Sequence, residues 1–133
     1  MNSIDSHREE SSRYVVLGSS FAAGIGLGAR LEGSPRACRR TANGYPQQLA
    51  RLRGLAITDV TCSGATTGHV LHGGQCREGA QVSAVKGETG LVTLTAGGND
   101  VNYVGDLMLM AYRARSRVVR ALTGPFWKGL RPG

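Results

Sequence analysis

Three short apolar runs, each ending in a cluster of small residues and separated by helix-forming stretches, constrain this chain more than anything else in it. Tyr14-Val15-Val16-Leu17 is apolar and β-branched and stops at Gly18. A continuous run of that kind reads as a buried strand. Leu55 to Cys62 reads as a second strand, with Ile57 and Val60 among its apolar positions. Leu91 to Thr95 is a third, closed by Ala96-Gly97-Gly98-Asn99-Asp100. Tyr45 to Arg53 predicts a helix: Pro46 suits its first turn, Asn43 is a candidate cap and Gly54 is a stop. Ser63 to Gly74 reads as a loop, Glu78 to Lys86 as a short helix and Val104 to Leu122 as a long one. In the last, Leu107, Met110 and Ala111 recur at helical spacing among arginines. Strand and helix in strict alternation predict an α/β fold of three layers, flavodoxin-like, with a parallel sheet covered on both faces.

Composition agrees with one such domain. The chain has 133 residues, 41% of them hydrophobic and 5% aromatic, so its core must be built from Val, Leu, Ile and Ala. Lys plus Arg is 16 and Asp plus Glu is 9, which makes the net charge 16 − 9 = +7. Arg36, Arg39 and Arg40 form one basic group, and Arg113, Arg115, Arg117 and Arg120 another. Neither is interleaved with aromatics, as a single-strand nucleic-acid surface requires, so no nucleic-acid partner is expected. No stretch approaches the ~18 apolar residues of a membrane span. Met1 to Arg13 is polar and lacks the apolar middle of a signal peptide, which points to a cytoplasmic location by default. The expected organisation is a disordered leader over 1–12, a domain over 13–122 and an irregular tail over 123–133.

In a parallel sheet all strands point one way, so the loops after them open on one edge, where ligands bind. Those loops offer Gly18-Ser19-Ser20, Cys62-Ser63-Gly64-Ala65 and Gly97-Gly98-Asn99-Asp100. One hydroxyl, bare backbone N–H groups and a carboxamide are the parts of a nucleophile with oxyanion donors around it.

These blocks resemble those of the SGNH (GDSL-type) serine ester hydrolases. Gly18 to Gly24 is similar to the first block, Asp59 to Thr67 to the second, and Leu91 to Asp100 to the third, Gly-x-Asn-Asp. Asn43-Gly44-Tyr45-Pro46 opens the first crossover helix as in many actinobacterial members. The resemblance spans about residues 13 to 106. It implies Ser20 as nucleophile. It also implies an oxyanion hole made of the Ser20 and Gly64 backbone N–H groups and the Asn99 side chain, a small ester as substrate, and no cofactor or metal. Asp100 is then expected to accept N–H bonds from a loop or helix. Cys38 and Cys62 lie where related secreted enzymes often carry a disulfide, with Cys76 left over.

Two departures stand out. Ser19 occupies the position of the family's aspartate beside the nucleophile. The family's last block, Asp-x-x-His, has no counterpart: histidines stand only at 7, 69 and 72, none with an aspartate three residues earlier. A serine without a base is a poor nucleophile. The expectation is therefore a truncated or degraded form, with very weak ester hydrolysis or none, or a non-catalytic remnant that binds in the same pocket. Such a form would leave Leu107, Leu109 and Met110 of the last helix uncovered and prone to self-association. His72 is a weak candidate for a substitute base. Cys62, His69, His72 and Cys76 match no common zinc spacing. Gly24-Ile25-Gly26-Leu27-Gly28 is not in the dinucleotide register, and Gly-x-Ser-x-Gly is absent, because position 22 is Ala.

Overall fold

A computed structural model describes residues 12–118 and 120–122. The expectations for the leader 1–12 and the tail 123–133 therefore lie outside the described residues but for Ser12. Two compact units are present, 1–100 and 101–133.

The first unit is built on three parallel strands in the order β2-β1-β3: β1 (Arg13–Gly18), β2 (Ala56–Asp59) and β3 (Leu91–Thr95). Tyr14 pairs with Ile57 on one side and Leu91 on the other. The central strand is buried from Tyr14 to Gly18, as its unbroken apolar run predicts. Its side chains alternate between faces. Tyr14 and Val16 pack with Ala22 and Ala50, against Tyr45, Leu49, Leu55 and Ile57. Val15 and Leu17 pack with Val70, against Val60, Val82, Ala84 and Ala96.

The first cluster is closed by α1 (Ser20–Ala23) and α2 (Tyr45–Arg53), the second by α3 (Thr67–His72) and a 3-10 turn, Gln81–Ala84. Crossovers of one hand that leave β1 and β2 in opposite directions along the sheet must lie on opposite faces. The three expected layers follow.

Several elements differ from expectation, each for a local reason. The second strand ends at Asp59, not Cys62, because the Asp59 carboxylate takes the Thr61 N–H (3.0 Å) and hydroxyl (2.7 Å). Asn43 does not cap α2: Gly44 holds that position without a side-chain bond, while Gly54 ends the helix at φ 62 as expected. The loop after β2 contains α3. A capping box between Thr66 and His69 starts it, with histidine in the place usually held by Glu or Gln. The helix expected over Glu78 to Lys86 is only the single turn Gln81–Ala84. In the second unit α4 (Tyr103–Arg115) stops at Ser116, whose backbone is extended (φ −119, ψ 117), so the expected run to Leu122 is broken. Among the described residues no helix is long and apolar enough to cross a membrane.

Arg40, one of the basic group 36–40, is 6% exposed. Its guanidinium bonds the Thr61 carbonyl and the Glu78 carboxylate and lies 3.9 Å from Asp59. It clamps the loop before α2 to the loops after β2 and is lost to any basic surface.

Candidate active site at the strand ends

Ser20 is the first residue of α1, directly after β1 and Ser19. Gly18 makes the turn possible. It has φ 143, and a Cβ there would sit 2.4 Å from the Thr95 carbonyl oxygen. No side chain fits, so β1 and β3 close up at their ends. The Ser19 N–H then donates to Thr95 O (2.9 Å). One turn later Gly24, at φ 74, ends the helix, its N–H donating to Ser20 O (3.1 Å). The N–H groups at a helix start have no acceptor within the helix, so the Ser20 N–H stands at an open end. The Ser20 side chain is half-buried.

Gly64 lies in the loop after β2, tied beneath β1 by the Cys62 N–H, which donates to Gly18 O (3.0 Å). Gln75 Nε2 donates to the Ser63 carbonyl (2.7 Å). In a trans peptide the C=O of residue 63 and the N–H of residue 64 point in opposite directions, so this bond also sets the direction of the Gly64 N–H. Gly64 has φ 82, a left-handed conformation suited to glycine.

Asn99 follows β3. One N–H of its amide donates to Ala65 O (2.8 Å), directly beside Gly64. A carboxamide carries two N–H groups, so one such bond leaves its second donor over. Hydrogen bonds thus join all three strand-end loops, β1 to β3 through Ser19, β2 to β1 through Cys62, and β3 to β2 through Asn99. Asp100 takes the structural part expected for it. It accepts the Thr67 N–H (3.0 Å) and hydroxyl at the start of α3, and these bonds hold its carboxyl below the usual value of 3.8.

Sequence reasoning missed two features here. Gln81, 6% exposed, sends its Oε1 to the Gly18 N–H (2.7 Å) and its Nε2 to the Gly18 carbonyl (3.1 Å). Because β2 ends opposite Val16, the side chain of Gln81 supplies what a further strand residue would. Nothing in its surroundings in the chain signals this. The other is a hollow of about 400 Å³ beside Ser20, lined also by Phe21, Gly24, Ile25, Leu27 and Tyr45. Tyr45 is set by a bond between its hydroxyl and that of Thr95 (2.8 Å). The alternation of Ile25 and Leu27 with glycines was the available signal.

Among the described residues, no side-chain hydrogen bond joins Ser20 to a histidine. His69 Nδ1 is occupied at Thr66, where it accepts the backbone N–H (3.1 Å) in the α3 cap, and His72 is exposed at the end of that helix. Among the described residues, the sulfurs that gather are those of Cys38, Cys62 and Cys76, with no histidine beside them. The Cys38–Cys62 disulfide is formed.

Residues 16–125 match the GDSL-like lipase/acylhydrolase family. The chain belongs to that family. This GDSL-like chain is 34% identical over 101 residues to a lipase of Streptomyces rimosus, covering 75% of this chain and 35% of that one. It is 33% identical over 104 residues to lipase 1 of Streptomyces coelicolor, covering 77% and 36%. Among solved structures, phospholipase A1 from Streptomyces albidoflavus is similar at TM-score 0.61 and 35% identity, over 76% of this chain and 39% of that one. The extracellular lipase of Streptomyces rimosus is similar at TM-score 0.63 and 28% identity, over 81% and 42%. The GDSL-like chain thus spans little more than a third of the length of the curated relatives it matches.

Proposed function

We propose that this GDSL-like chain carries the nucleophile and oxyanion donors of a serine ester hydrolase. The observation that carries the reading is the set of hydrogen bonds holding the three strand-end loops together around Ser20, Gly64 and Asn99. Ser20 Oγ attacks the ester carbonyl carbon, and the carbonyl oxygen becomes an anion. The Ser20 and Gly64 N–H groups and the Asn99 amide stabilise it. Losing one such donor costs about 10²–10³ in kcat in other serine hydrolases. The alcohol leaves, and water then releases the acyl group from Ser20. The hollow lined by Phe21, Ile25, Leu27 and Tyr45 supports an ester with an apolar acyl or alcohol part. The relatives named as lipases and a phospholipase A1 support the same substrate class.

The Ser20 proton needs an acceptor. A positioned base is worth about 10²–10⁴ in rate, so with His69 engaged in its cap the chain alone turns over slowly. The same observation favours a second reading, a pocket that binds esters without hydrolysing them. p-Nitrophenyl acetate hydrolysis by the chain and by Ser20→Ala separates the two. A slow release that Ser20→Ala abolishes is the expected outcome, and equal rates from both proteins would leave only the binding reading.

A further inference from the structure

Three sulfur atoms meet where the loop before α2 touches the loops after β2. Cys38 and Cys62 are bonded to each other and buried. Cys76 is a half-buried free thiol whose Sγ lies 3.7 Å from Cys62 Sγ, a contact distance. All three sulfurs lie within 4.8 Å of one another. The backbone that delivers Cys76 is strained. Cys76 and Arg77 are consecutive non-glycine residues in the left-handed region, at φ 53 and 63. Such conformations persist only where the surroundings impose them. Here the turn is closed by Glu78 N–H to Gln75 O (2.9 Å) and Gly74 N–H to Glu78 O (3.2 Å). A free thiol is thereby held against a disulfide, the arrangement that thiol–disulfide exchange requires.

We infer that Cys38, Cys62 and Cys76 form an exchange centre with two bridged states, Cys38–Cys62 and Cys62–Cys76. The Cys76 thiolate attacks Cys62 Sγ and a new S–S bond forms. The Cys62–Cys38 bond breaks, and its electron pair leaves on Cys38 Sγ, which takes up the proton that Cys76 gave up. One disulfide replaces another, so no oxidant or reductant is consumed. An acceptor for the new Cys38 thiol is in place, with Glu78 Oε2 3.7 Å from its sulfur. The exchange shortens the bridged separation from 24 to 14 residues and removes the covalent tie between the turn Arg36–Cys38 and the loop after β2, leaving the Ser63 N–H to Cys38 O bond (3.0 Å) between them. The exchange does not depend on ester hydrolysis at Ser20 and is read out without it.

Trypsin leaves Cys62 and Cys76 in one peptide, 54–77, and Cys38 in another, 37–39. The full chain is oxidised in air, held at about pH 8 where a free thiol ionises appreciably, and then labelled with a maleimide and digested under non-reducing conditions. Two forms of peptide 54–77 are expected. One is joined to 37–39 and labelled on Cys76; the other is bridged within itself and unlabelled, at about a tenth of the total or more. The first form alone, however long the incubation, overturns the proposal. Cys38→Ser is expected to build the Cys62–Cys76 bridge in air, and two freely labelled thiols in that variant overturn the proposal as well. If Cys38→Ser does not fold, the wild-type peptide distribution decides.

Discussion

Ser20, Gly64 and Asn99 were legible in the sequence because each sits among small residues directly after an apolar run, and chain order alone brings those ends to one sheet edge. The residues that set their directions were not. Gln81 lies 63 positions from Gly18 in the chain, and Gln75 lies 12 from Ser63, with no local pattern to mark either. Gln81 is the more consequential, because among the described residues its Oε1 is the acceptor that the Gly18 N–H finds once β2 has ended, whereas the Gly18 carbonyl also receives the Cys62 N–H. Gln81→Leu keeps the volume and strands that N–H in a buried place. A loss of about 1–3 kcal/mol in urea unfolding is expected. Unchanged stability would mean that Gln81 is incidental to the turn that presents Ser20.

At the scale of elements, the strands and α2 followed from apolar patterning and from glycine and proline punctuation. What went astray was decided by side chains reaching the backbone. Asp59 cut the second strand short, and Thr66 with His69 started a helix where glycines suggested a loop. Asp100 ties the end of the third loop to the start of α3 in the same way. Its carboxyl is held low chiefly by the Thr67 hydroxyl and then by the Thr67 N–H. With the folded value depressed, the tie contributes fully above the ordinary value of 3.8 and is lost as pH falls through the lower folded value. The Asp100 carboxyl carbon, followed by NMR, is expected to titrate below 3.8 in the wild type and to move back towards it in Thr67→Val. A wild-type midpoint at or above 3.8 would remove Asp100 as the anchor of α3.

Across the whole molecule, a three-stranded sheet whose central strand is buried from Tyr14 to Gly18 gives a small core, and a covalent tie is a large addition to it. A bridge across 24 residues stabilises by about 3 kcal/mol, mainly by restricting the unfolded chain. Adding a phosphine reductant is therefore expected to lower the urea midpoint by a corresponding amount, whichever of the two bridges is populated, and an unchanged midpoint would show that packing alone holds the loops. By itself the sequence determined the fold class and, through the motifs it shares with the SGNH hydrolases, pointed to the family and to the three residues proposed for catalysis. Strand and helix periods repeat over a few neighbouring residues, and strand ends in a parallel sheet converge by topology. Only the tertiary structure decided that Gln81 completes β1, that Arg40 is buried between Asp59 and Glu78, that an apolar hollow opens beside Ser20, and that Cys76 rests on a disulfide. The contacts of Gln81, Arg40 and Cys76 join residues whose separation along the chain exceeds any local period, and the hollow needs Tyr45 from a later helix to complete a wall otherwise made of residues 20–27, so their meeting depends on packing.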